Sequence, residues 1–249
     1  MENRSILPVG IVLWFIVSVV FMFLRSSEAS IYSSYALMGG VEVVLDVFAF
    51  LLCASLWRRA TKDGKSIYFW FMVSFVFLAI ADATFHLTYG LALLPVVHPL
   101  WMEVSLVLFY LAQAIAWLLW LKANNRHGDD VHAIVNMLAF IAGLVVVAMF
   151  FFGLHWSLNS TSETGLFVAA ETILQVVIFI TILLALARMA CPFTRMSAMG
   201  MLVLMGSDFV INTRYVTSGV GAETVLEITW MLGAWLMVLG FAQQRKALY

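Results

Sequence analysis

Charge is scarce in this chain. Asp, Glu, Lys and Arg make up 11% of its 249 residues, while apolar side chains make up 64%. A soluble domain carries roughly a quarter charged and about half apolar residues. A water-driven globule is therefore excluded, and the lipid bilayer becomes the first partner. The net charge of −1 leaves no basic surface for nucleic acid. Two cysteines, Cys53 and Cys191, make neither a disulfide framework nor a metal-ligand spacing. Histidine is also short: of five, only His86 lies clearly inside an apolar run. Facing histidines for a membrane haem and a three-histidine zinc site are both missing. The last apolar run holds no lysine for a retinal Schiff base. No Ser-His-Asp order and no phosphate-binding glycine loop occurs. No cofactor and no metal centre is expected from these residues. A carboxylate-rich cation site fed by Glu42, Asp46, Asp82 and Asp208 stays open.

What is present is apolar length. A bilayer-spanning helix needs about 20 predominantly apolar residues. Such runs fall at 6–24, 34–57, 67–89, 100–121, 133–154, 166–187, 196–215 and 224–242. The first has Arg4 before it and a faintly cleavage-like Glu28-Ala29-Ser30 after it. It is long for a signal sequence, and Arg25 follows it directly, so it is expected to be retained. Of the 13 basic residues, all but Arg25 and Arg214 fall at the N-terminus, at the C-terminal tail or in the connections after the second, fourth and sixth runs. Positively charged loops stay in the cytoplasm. The expectation is an all-α integral membrane protein with eight transmembrane helices and both termini cytoplasmic. With no linker or low-complexity segment, residues 1–249 read as one transmembrane domain.

The most informative stretch is Ala81-Asp82-Ala83-Thr84-Phe85-His86-Leu87-Thr88-Tyr89. Asp82 and His86, four apart, share a helix face. Ser207-Asp208-Phe209-Val210-Ile211-Asn212-Thr213-Arg214-Tyr215 matches it, with Asp208 for Asp82 and Asn212 for His86. The match extends outward. Glu42 and Asp46 lie four apart in the second run, as do Glu171 and Gln175 in the sixth. Glu103 opens the fourth run as Glu227 opens the eighth. Two parallel four-helix repeats follow, over about 1–122 and 123–249, related by an axis along the membrane normal.

The acids crowd into the outer halves of their helices. A carboxylate at membrane depth is costly and normally faces a bundle interior or a wet cavity. Glu42, Asp46, Asp82, His86, Glu103, Glu171, Asp208, Asn212, Arg214 and Glu227 are therefore the candidate ligand-binding residues of an outward-facing acidic cavity. The plainer reading of each is interhelical hydrogen-bonded glue. Arg214 beside Asp208 reads as a structural ion pair. Trp101, Trp156 and Trp230 read as interfacial anchors, and Gly39-Gly40 as a site of close helix approach. Gln175 and Asn136 are expected to be purely structural.

Two resemblances rest on these residues. Ala81-Asp82, Ser207-Asp208 and Trp230-Met231-Leu232-Gly233-Ala234-Trp235 resemble the multi-helix sensor modules at the N-termini of bacterial diguanylate cyclases and histidine kinases. The likeness covers most of the second to eighth runs. It implies a sensory module of the bacterial inner membrane that binds a small ligand and signals through a cytoplasmic partner or through an output domain not in this chain. Separately, Gly200 to Asp208 with Asn212, Arg214 and Tyr215, and also Tyr110-Leu111-Ala112-Gln113, resemble the eight-helix lysoplasmalogenase-type membrane hydrolases. The tyrosine stretch sits in a different helix here, and a Lys-Pro pair expected near an early helix is missing. This likeness implies Asp82 and Asp208 as acid and base on a vinyl-ether lipid, with water as nucleophile. A small-solute transporter is a third expectation from paired halves around polar residues.

Overall fold

The computed structural model of the chain describes residues 6–25, 31–90, 100–124, 165–186, 192–212 and 220–247. Seven helices occupy them: α1 (Ile6–Arg25), α2 (Ile31–Arg59), α3 (Lys62–Gly90), α4 (Leu100–Asn124), α5 (Gly165–Leu186), α6 (Pro192–Asn212) and α7 (Val220–Ala247). The first four expected spans are thus α1 to α4, and the last three are α5 to α7. The fifth expected span, 133–154, lies outside the described residues, as do Asn136, Trp156, Cys191 and Arg214. Among the described residues no strand occurs. Four helices are long and apolar enough to cross a bilayer: Leu37–Arg59, Lys62–Phe85, Trp101–Ala123 and Thr224–Arg245. Two shorter apolar stretches, Val9–Leu24 and Ala170–Leu186, accompany them. This fits a multi-pass membrane protein.

The helix ends follow local chemistry. Only Ala60 and Thr61 separate α2 from α3. The Ala60 amide still closes the last turn of α2 on Leu56 O at 2.9 Å, and Lys65 N donates to Thr61 O at 2.8 Å, opening α3. Asp63 in that first turn complements the positive helix end. Pro192 opens α6, the one place in a helix where a missing N–H costs nothing.

The helices close on themselves. α2 packs along α3, α3 along α4, α4 on α5 and α6 along α7; α5 touches α6 lightly, and α7 returns to α2. Helix α1 lies outside this ring against α2 and α7, and most of its large side chains are exposed, Phe23 at 76%. Exposed apolar side chains are what a helix in lipid presents. The two ends of the series differ: α2 and α3 are closely packed, whereas α5 leans on α4 more than on α6.

One aromatic cluster ties α3, α4 and α7. Phe71 meets Trp117 and Phe241 edge-on, both at 5.3 Å between ring centres, and Phe75 meets Phe241 at 5.9 Å. Edge-to-face pairs are the favoured aromatic geometry, and all four rings are buried. Beside it Gln113 donates to Ser74 Oγ at 3.0 Å and accepts from Trp117 Nε1 at 3.1 Å, while Ser74 Oγ donates to Phe71 O. This fully buried amide is satisfied on both ends, as interhelical glue should be.

Glycine sets one crossing. A Cβ built on Gly200 would lie 2.6 Å from Gly233 O, and one on Gly233 would lie 2.5 Å from Leu204 N. Backbone therefore meets backbone between α6 and α7, and the Trp-Met-Leu-Gly stretch has a packing role there. At Gly40 nothing among the described residues lies within 4 Å of a built Cβ. It lines an apolar groove of about 720 Å³ between α1, α2 and α7, together with Leu13, Val44 and Trp235.

Candidate functional site

Two polar clusters sit inside these apolar helices. The first joins α2 and α3. Glu42 and Asp46 occupy one face of α2, one turn apart. Asp46 shares a hydrogen bond with Asp82 of α3 and lies within the field of Glu42. All three are buried, at 3%, 2% and 6% exposure. Helical periodicity brings Glu42 and Asp46 together; the close packing of α2 on α3 supplies Asp82.

The second cluster joins α4, α5 and α6. The Tyr110 hydroxyl of α4 donates to Asp208 Oδ2 at 2.7 Å, and Gln175 Nε2 of α5 donates to the same oxygen at 2.6 Å. Two donors from different helices hold the Asp208 carboxyl in one orientation. Tyr110 also contacts the Gln175 amide and lies in the field of Glu171. Glu171 stands one turn before Gln175 and is 1% exposed. Glu103, two turns before Tyr110 on α4, interacts electrostatically with Asp208.

No protein family, curated protein or solved structure matches the chain.

The structure thus groups Glu42, Asp46 and Asp82, and separately Glu103, Glu171 and Asp208. Glu227 is half-buried near the start of α7. His86 and Asn212 belong to α3 and α6, but their side chains, like the whole of Arg214, fall outside the described part, so the Asp82–His86 and Asp208–Arg214 pairings are not placed. Trp101 is 72% exposed at the start of α4, as an interfacial anchor would be. Among the described residues no group of three His, Cys, Asp or Glu is arranged to hold a metal ion.

Two members are not marked as site residues by the sequence. Tyr110 is singled out there only by a resemblance, although its spacing of seven from Glu103 puts both on one helix face. Gln175, expected to be structural, donates to Asp208 across α5 and α6. Its spacing from Glu171 carried that signal, since the matching residue of the second run is the acid Asp46.

The arrangement can bind donors. Carboxyl and amide oxygens dominate both clusters, and two of the buried acceptors, Asp46 Oδ2 and Gln175 Oε1, have no hydrogen-bond partner among the described residues. A buried acceptor without a donor costs about 1–3 kcal/mol, which a proton, a water or a cationic ligand would relieve.

Proposed function

We propose that the chain is a sensory or ligand-binding module of a bacterial inner membrane, with eight spans, cytoplasmic termini and an outward-facing acidic site. On this reading it signals through a cytoplasmic partner or output domain, and its halves, about 1–122 and 123–249, are parallel repeats. The observation that carries the proposal is the recurrence of one pairing. Asp46 meets Asp82 across α2 and α3, and Gln175 meets Asp208 across α5 and α6. These are the positions that the internal sequence match equates. Packing of the two helix pairs differs, so what recurs is the polar contact. Ionisable residues inside spans are expensive and by default functional.

The test uses the full chain purified in nanodiscs and melted against a panel of inorganic cations, amines and small polar solutes. At least one compound should raise the melting temperature of the parent protein. It should fail to do so for Asp82→Asn and Asp208→Asn, whose own melting should stay close to the parent's. Full response in both variants, or no response by any of the three proteins, would count against the sensory reading.

One contact favours a second reading. The Tyr110 hydroxyl on Asp208 links the two stretches through which the chain resembles lysoplasmalogenase-type hydrolases. Release of aldehyde from a vinyl-ether lysolipid by the purified protein, lost in Asp208→Asn, would support hydrolysis.

A further inference from the structure

The turn between α2 and α3 takes no part in either polar cluster. It is rich in cations: Arg58, Arg59, Lys62 and Lys65 stand against one acid, Asp63, and all of them are exposed. The spans Leu37–Arg59 and Lys62–Phe85 end and begin here, so these charges lie at a membrane surface whichever way the chain is oriented. Only Ala60 and Thr61 join the helices, and the Ala60 and Lys65 amides are tied to Leu56 O and Thr61 O. The cations are thus held close together on a short, hydrogen-bonded frame, which leaves little backbone freedom to lose on binding. Below them the surface is apolar and aromatic. Trp57 is 38% exposed and Phe69 47% exposed. Lys65 Nζ lies 5.6 Å from the centre of the Trp57 ring, within cation–π range, so Lys65 of α3 reaches across to α2. Lys62, Lys65 and Phe69 are spaced by three and four and share one face of α3. Phe69 lies about 10 Å further along the helix than Lys62, at 1.5 Å per residue.

One strip therefore runs from two ammonium groups at the membrane surface to exposed rings facing the hydrocarbon. A phospholipid has the same order, a charged phosphate at the surface and acyl chains beneath it. We infer that this strip binds an anionic phospholipid, its phosphate on Lys62 and Lys65 and an acyl chain along Trp57 and Phe69. Basic clusters beside a span attract acidic headgroups, and tryptophan favours the headgroup level. Arg58 and Arg59 add to the attraction, and Asp63 opposes it. An acidic protein segment would match the cations but has no counterpart for rings that face the bilayer. The inference goes beyond the sensory reading and is independent of it, since it uses neither polar cluster and no assumption about orientation.

The experiment offers the full chain in detergent phosphatidylglycerol and phosphatidylcholine with identical acyl chains, and native mass spectrometry reads which lipid is retained. The parent should prefer phosphatidylglycerol. A lysine at an anionic lipid surface is worth about fivefold in affinity, so Lys62→Gln and Lys65→Gln should each lower the preference by about that factor, and together by roughly twentyfold. Trp57→Ala should lower retention of both lipids. Lys122→Gln, which removes an exposed cation at the end of α4, should change nothing. Glycerol phosphate, the headgroup chemistry without chains, should not displace the bound lipid. Equal retention of the two lipids by the parent would overturn the site, as would a loss in Lys122→Gln as large as that in Lys65→Gln. Displacement by glycerol phosphate, or a Trp57→Ala protein that retains both lipids like the parent, would overturn the assignment to a lipid.

Discussion

Substituting alanine for Gly233 tests the backbone-to-backbone contact between α6 and α7. The added methyl would lie 2.5 Å from Leu204 N, 2.7 Å from Gly200 O and 2.7 Å from Leu204 Cβ, where ordinary contact begins at 3.4 Å. Two of those three atoms are backbone, so no side chain can swing aside and the helices must part by nearly the full shortfall. Overpacking of this kind costs about 1–3 kcal/mol. Alanine returns about 0.5–1 kcal/mol through helix propensity, leaving a net loss of up to about 2.5 kcal/mol. Gly206 and Gly40 are internal controls, since nothing among the described residues lies within 4 Å of a Cβ built on either. Alanine there should be neutral or stabilising by up to about 1 kcal/mol. The assay is unfolding in mixed micelles by a denaturing detergent, followed by circular dichroism. Gly200→Ala and Gly233→Ala combined should cost less than the two separately, because one parting of the helices relieves both clashes. A Gly233→Ala protein as stable as Gly206→Ala would refute the backbone-to-backbone crossing.

Tyr110→Phe removes one of the two donors on Asp208 and should cost about 0.6–1.7 kcal/mol, the range for membrane hydrogen bonds. Together with Gln175→Leu the loss should exceed the sum in the same unfolding assay, since the second removal leaves Asp208 without either donor. Reporter fusions at Asn125 and after Tyr249 should both report cytoplasm if the basic loops set the orientation. An external tail would overturn the eight-span count and the parallel repeat with it.

The acids were legible because they stand out against an apolar background, and their spacing of four within α2 and α5 follows from helical geometry alone. The faces they share across helices were not legible. A soluble helix shows its buried side by polarity, whereas these helices are apolar nearly all round, so sequence does not say which side meets a neighbour. Tyr110 is the clearest case. It lies 98 positions from Asp208, and no local pattern connects them. Gly40 is a case of the same kind: a small residue permits close approach only where another helix arrives, and among the described residues nothing lies within 4 Å of a Cβ built there.

The sequence alone determined that the chain is helical and apolar enough for a bilayer, where the seven described helices run, and which few residues carry ionisable chemistry. Those properties are local, set by composition and by a period of 3.6 residues. Tertiary structure decided the rest: α7 closing against α2, α1 staying outside, Gly200 meeting Gly233, and Asp208 receiving donors from two other helices. Each of these depends on contacts between segments far apart in the chain, and van der Waals fit and interhelical hydrogen bonds, which hold membrane helices together, exist only once the helices have packed.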